Sequence, residues 1–192
     1  MGRPATDKKD RLIEAAMRRF HHDGVGATSL AAVANDAAVP PGNVYYYFRS
    51  KDALTENVIE RWCSSVGESL DALDVLPGSR DRLRAFVASA DQRRQGYADF
   101  GCPLNALGND LRNAPPTIAA SSGRPLAMLR AWLTAQFVQI TDVGSAGSHA
   151  DFFLASLQGS FALAHINGDS LIVSQTVEHL LRWIDTVGPE SA

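Results

Sequence analysis

Cysteine is nearly missing: Cys63 and Cys102 are the only two in 192 residues, too few for a disulfide framework. Long apolar runs are missing as well. None reaches the roughly 18 residues that a membrane-spanning helix needs, and Met1-Gly-Arg-Pro-Ala-Thr6 lacks the apolar stretch of a secretory signal. A cytoplasmic protein with no membrane partner is therefore expected, one that meets any signal inside the cell. There is also no Gly-rich phosphate loop, no zinc-ligand pattern and no Ser-centred elbow. Carboxylates are scattered along helix surfaces without a convergent pair. The five histidines (His21, His22, His149, His165 and His179) have no metal spacing. No enzymatic activity, metal site or cofactor is expected.

What is present is an ordinary globular balance, 45% hydrophobic and 20% charged, on a chain long enough for one small and one medium domain. Net charge is −3, yet it is unevenly spread. Residues 1–54 hold eight Lys and Arg against six Asp and Glu, and the remainder holds ten against fifteen. All three lysines (Lys8, Lys9 and Lys51) fall in the first segment. A mildly basic head on an acidic body fits a local contact with DNA.

Apolar spacing of three and four residues predicts helices throughout. The first runs over about 7–23, with Leu12, Ala15, Ala16, Met17 and Phe20 on one face and Gly24 ending it. Short helices follow at about 29–35 and 41–46, then a long one at 51–73, closed by Pro77-Gly78. Further helices are expected at 80–96, 103–112, 126–141, 150–166 and 170–187. The segment 113–125, with three prolines, reads as a loop holding at most a partial turn, and 144–148 reads as a flexible connector. The expected fold is all-α with about nine helices: a helix-turn-helix domain at 1–50 and a helical effector-binding and dimerisation domain at 51–192.

The decisive segment is 24–54. A short helix begins at Thr28 or Ser29, a tight turn spans Ala37–Val39, and a second short helix carries Tyr45, Tyr46 and Tyr47. That layout is a helix-turn-helix whose second helix can enter the major groove. The segment resembles the TetR/AcrR family of bacterial transcriptional repressors through Gly24, Thr28, Ser29, Leu30, Val33, Ala34, Ala37, Val39, Gly42, Val44, Tyr45, Tyr47, Phe48, Ser50, Lys51 and Leu54. The family normally carries Ser or Thr and then a polar residue ahead of Gly42, where this chain has Pro40 and Pro41, which removes two amide donors.

Candidate DNA contacts follow from residue chemistry. Thr28 reads either as an N-cap or as a phosphate ligand at the free amides of a helix start, with Ser29 beside it. Gly42 permits close backbone approach. Asn43 can pair with adenine, and Tyr45 and Tyr46 can touch a thymine methyl. Consecutive helical residues diverge by about 100°, so the three tyrosines cannot all point into a core. The resemblance implies that Tyr47 and Lys51 hold phosphates and that Phe48 packs inside. Arg3 is either a minor-groove arm or part of a tail.

In the body, Phe100-Gly-Cys-Pro-Leu104 and Leu157-Gln-Gly159 resemble one TetR subgroup. The resemblance implies an effector chamber, for which the candidate liners are Trp62, Phe86, Tyr97, Phe100, Leu104, Trp132 and Phe137, each also readable as core. Apolar aromatic walls suit a small hydrophobic molecule. Cys102, at an expected helix start, is either a reactive thiol or a packing residue. Excess apolar surface on the last two helices predicts a homodimer through Phe152, Ala155, Gly159, Ala162, Val177, Leu181 and Ile184. The expected function is a repressor released from a palindromic operator by a hydrophobic effector. Two alternatives stand beside it: release through modification of Cys102, and a ligand-binding dimer whose DNA head is degenerate.

Overall fold

The computed structural model describes residues 5–188. Those residues form eleven α-helices and one 3-10 turn, with no strand among them. They divide into two compact units, one made of residues 5–65 and 103–125 and the other of 66–102 and 126–188.

The first unit begins with α1 (Ala5–His22). Its stripe of Leu12, Ile13, Ala15, Ala16 and Phe20 is buried. Gly24, at φ +83°, ends the helix in the left-handed region that a residue with a side chain enters at a cost. The helices α2 (Leu30–Asp36) and α3 (Pro41–Tyr47) follow. Val33, Ala34, Val39, Val44 and Phe48 close with α1 into one small core. The start of α4 (Lys51–Asp74) adds Leu54, Val58 and Ile59. The chain returns to this unit with α7 (Pro103–Asp110), the 3-10 turn Leu111–Asn113 and α8 (Pro116–Ser122).

The second unit holds the rest of α4 with α5 (Ser79–Gln92), α6 (Arg94–Phe100), α9 (Arg124–Val138), α10 (Val143–Asn167) and α11 (Leu171–Thr186). Gly168, at φ +64°, ends α10 and lets the chain turn back into α11. Helix α10 packs on α6 and α11, and α11 packs on α5. Phe137, Phe153, Leu83, Val87, Leu133 and Ile184 fill the centre. The guanidinium of Arg80 donates to the carbonyls of Ile184 and Val187, which supplies partners for C-terminal carbonyls that a helix leaves unbonded.

Three expectations are corrected. The helix expected over 80–96 is two helices, because the chain breaks at Arg93 (φ −104°, ψ 8°), whose side chain folds back onto Ser89. The loop expected over 113–125 contains α8, since Pro115 and Pro116 have the fixed φ that suits a helix start. The connector expected at 144–148 is the first turn of α10, capped by Asp142, whose carboxylate accepts from the Ser145 amide at 2.9 Å. Helix α4 begins at Lys51, and the compact first unit runs on to Ser65 and takes in 103–125. No helix among the described residues is long and apolar enough to cross a membrane.

The hydroxyl and amide of Ser145 hold the Asp142 carboxyl below the usual carboxylate range. A depressed carboxylate stabilises the fold above its unfolded pKa of about 3.9 and loses that effect as pH falls through the lower folded value. Asp142→Ala should therefore raise amide exchange across 143–148 at neutral pH. Acidifying the wild type below about pH 4 should have the same effect, and the variant should lack that acid-induced step.

Candidate nucleic-acid interface

Helix α3 has an inward and an outward side, and spacing decides which residue lies on each. Val44 and Phe48, four apart, are sealed in the core. Gly42, Tyr45 and Tyr46 fall on the opposite side and are exposed. Tyr45 is 64% and Tyr46 81% exposed, a cost in apolar exposure that an isolated small domain gains nothing from. A Cβ placed on Gly42 would meet no protein atom within 4 Å, so the room beside it is open to an outside molecule. Asn43 and Tyr47, one turn apart, are half-buried on the flank. Tyr47 meets Tyr46 edge-on at 5.0 Å. The ammonium of Lys9 lies 6.0 Å from the Phe48 ring centre.

Pro40 and Pro41 are absorbed without damage. Pro40 sits at the cap with φ −54°, and Pro41 opens the helix, where its missing N–H costs no intrahelical bond. Asn43 N donates to Pro40 O at 2.8 Å. The reading helix is therefore intact, with fewer amides to offer a phosphate.

Two roles differ from expectation. Thr28 is not the cap: it is 3% exposed, and its hydroxyl donates to Gly24 O at 2.8 Å. Ser29 is the cap of α2, its hydroxyl accepting from the Ala32 amide at 3.1 Å. Lys51 does not extend outward toward a phosphate. Its ammonium donates to Val25 O (2.8 Å), Gly26 O (3.2 Å) and Thr28 O (3.3 Å). An ammonium has three N–H donors, and three loop carbonyls take them. Arg3 lies outside the described residues.

Other contributors left little trace in the sequence. Arg11 donates to Ala37 O and, at 2.9 Å, to Ala38 O, which braces the turn between the two short helices. That turn needs bracing, because Ala38 has φ +50°, costly for a residue with a Cβ. Arg19 forks onto Asp36 (2.6 and 3.1 Å) and reaches Asp23 at 2.9 Å, tying α1 to α2. That hydrogen bonding holds the Asp36 carboxyl below its usual range. Asp110 accepts from the Val25 amide at 2.8 Å.

The proposed effector liners divide between the units. Trp62 and Leu104 belong to the first, where Trp62 borders a surface groove of about 260 Å³ with Met17, Arg18 and His21. In the second unit Phe86 meets Trp132 (5.7 Å) and Phe153 (6.0 Å), and Phe137 meets Phe153 (5.9 Å). These rings form one cluster. Tyr97 instead stacks on Phe161 at 3.7 Å, two turns or about 12 Å along α10 from Phe153. Phe100 is exposed. Cys102 is buried at the residue before α7. Cys63 is buried too, and that burial pushes its thiol pKa up, as for a packing residue.

A compact helical triad with a braced turn and an outward reading helix defines a helix-turn-helix DNA-binding protein. Residues 12–58 match the family model for bacterial regulatory proteins of the tetR family. An uncharacterised HTH-type transcriptional regulator from the lacX 3' region of Lactococcus lactis is 22% identical over 94% of both chains. The regulator BetI of Burkholderia thailandensis is 33% identical over 87 residues, 43% of each chain. A TetR transcriptional regulator from Legionella pneumophila has the same fold, with a TM-score of 0.83 at 19% identity over 97% of this chain and 100% of that one. Over residues 12–58 the chain is thus similar to bacterial regulators of the tetR family, and over nearly its whole length it shares their fold. The relatives it matches are regulators, not enzymes.

Replacing Lys51 by Met leaves three loop carbonyls without their donor, and hydrogen bonds to a charged group contribute about 1.5–3 kcal/mol. Lys51→Met should lower the stability of the head by about 2 kcal/mol in chemical denaturation. The salt slope of DNA binding should fall by less than the ~0.9 expected for one lost phosphate contact. Ala38→Gly should raise stability by about 0.5–1 kcal/mol by relieving the left-handed backbone.

Proposed function

We propose that the protein is a cytoplasmic repressor that holds a palindromic operator as a homodimer and leaves it when a small hydrophobic effector enters the body. The observation that carries the DNA half is the outward face of α3, where Gly42, Tyr45 and Tyr46 are open and unpacked. Tyr45, Tyr46 and Asn43 read base edges. Tyr47, Ser29 and the free amides at the start of α2 meet phosphates, with Thr28 and Lys51 shaping the loop that presents them. The intact core behind α3 argues against the degenerate-head alternative.

Regulators of this family act as dimers and bind effectors. The dimer reading for this chain rests on α10. Phe152 (54%), Leu163 (53%) and Ile166 (77%) are exposed, together with Ala155, Gly159 and Ala162. A Cβ on Gly159 would meet no atom of its own chain within 4 Å, so a partner helix has room to approach. Val177 and Ile184 are sealed in the chain's own core and Leu181 is half-buried, so the seam draws mainly on α10. Two reading helices in such a dimer lie about one DNA turn apart, roughly 34–36 Å, and a shift of a few ångströms breaks simultaneous contact.

The effector reading is supported by the Phe86–Trp132–Phe137–Phe153 ring cluster. Assignment to the Gly-Cys-Pro-Leu subgroup belongs to the same proposal, with Gly101 (φ +72°) turning the chain into α7. Modification of Cys102 is the competing trigger, and it asks a thiol only 9% exposed to meet its reagent. With Cys102→Ser, release by a reversible ligand persists and release by an electrophile is lost.

Gly159→Arg should yield monomers by light scattering and abolish tight operator binding, while helical content stays unchanged. Tyr45→Ala should change the sequence preference in operator selection rather than weaken all sites alike. A monomeric wild type at micromolar concentration, or a Tyr45→Ala variant that selects the wild-type operator, overturns the corresponding assignment.

A further inference from the structure

Helix α9 buries one side of itself in the second unit, and a polar residue stands in the middle of that side. At 100° per residue, Gln136 lies roughly 40° from Trp132 and 60° from Leu133, with Phe137 next beyond. Leu133 and Phe137 are fully buried, and Gln136 is 5% exposed. The Gln136 carbonyl oxygen is buried with no hydrogen-bond partner. A buried amide oxygen in an apolar core is costly when unpaired, and apolar replacement of such a group is often neutral or stabilising. Packing alone therefore gives no reason for glutamine between two aromatic residues, one of which, Trp132, is ring to ring with Phe86.

Trp132 also marks where the cluster opens. Its ring and that of Phe86 are only half-buried, and its indole N–H donates to Asp74 at 3.0 Å. These two rings are the edge of the cluster, whereas Phe137 and Phe153 are its floor. A flat molecule that parts Trp132 from Phe86 arrives beside the next residue along the same buried side, Gln136.

We infer that Gln136 is a specificity residue of the effector site and that the effector is an aromatic molecule bearing a hydroxyl or N–H group, which donates to the Gln136 carbonyl. This rests on the effector reading above. It goes further in naming the polar half of the ligand, because hydrophobicity alone does not distinguish an arene from its hydroxylated analogue. A buried acceptor does: a site whose polar group stays unpaired rejects the ligand that lacks the matching donor.

The test uses the full chain and two probes of nearly equal shape, 2-naphthol and 2-methylnaphthalene, titrated calorimetrically. Wild type should bind 2-naphthol about tenfold more tightly, a difference of about 1.4 kcal/mol. Gln136→Met, which keeps the length and removes the amide, should bind the two probes alike. Gln136→Leu should do the same, and both variants should melt at or above the wild-type temperature without ligand. Equal binding of the two probes by wild type overturns the role of Gln136 and leaves the ring-cluster site standing. A naphthol preference that survives in both variants overturns it as well, because the preference then arises elsewhere. Failure of wild type to bind either probe overturns the effector reading and this inference with it.

Discussion

The short loop between α1 and α2 is the point on which the DNA head depends. Its backbone reverses at Gly24 and exposes a row of carbonyls and amides that no helix can satisfy. Three side chains satisfy them from three places in the sequence. Thr28 takes Gly24 O, Asp110 takes the Val25 amide, and Lys51 takes the carbonyls of Val25, Gly26 and Thr28. Unpaired buried backbone groups are costly, so the loop has one low-energy arrangement, and that arrangement sets where α2 begins. Because α3 packs on α2, with Val33, Ala34 and Val44 all buried, the direction of α3 is fixed by the same bonds.

A second device recurs in both units: arginine reaching carbonyls that regular structure leaves bare. Arg11 serves the turn at Ala37 and Ala38, and Arg80 serves the end of α11. The guanidinium's planar fork presents several donors at once, so one side chain closes a helix end or a strained turn without a glycine. Ala38 keeps its left-handed backbone under that brace.

Much of this was legible in the residues, and what was not has a physical reason. Apolar spacing marks α1, α4 and α11 because each has one buried and one wet side. It fails at α5 and α6, where the break at Arg93 follows from a side chain folding back on its own helix, which period alone does not register. It fails again at α8 and at the start of α10, where proline and glycine suggest loops but act as helix openings under Pro115 and Asp142. The exposure of Tyr45 and Tyr46 was legible because three successive tyrosines cannot share one core face. The carbonyls that surround Lys51 at 2.8–3.3 Å were not legible, because they come from a loop more than twenty residues away in sequence. Asp110 was invisible, since its partner Val25 is 85 residues distant.

The way the chain is apportioned bears on regulation. The first unit is not one stretch of sequence. It takes in 103–125 as well as 5–65, so the chain passes between units at three places: within α4, ahead of Pro103 and at the start of α9. Asp110, which fixes Val25, follows the second passage by eight residues. Lys51, which fixes the same loop, begins the helix that contains the first. The bonds that orient the reading helix are thus made by segments whose other ends are in the unit proposed to hold the effector. Any free energy that effector binding places on those segments acts on the loop directly. In the proposed reading, linkage makes operator binding act back on effector affinity by the same factor. The proposed regulation then needs no separate relay, since the residues that build the helix-turn-helix head are already shared with the chain that would sense the ligand.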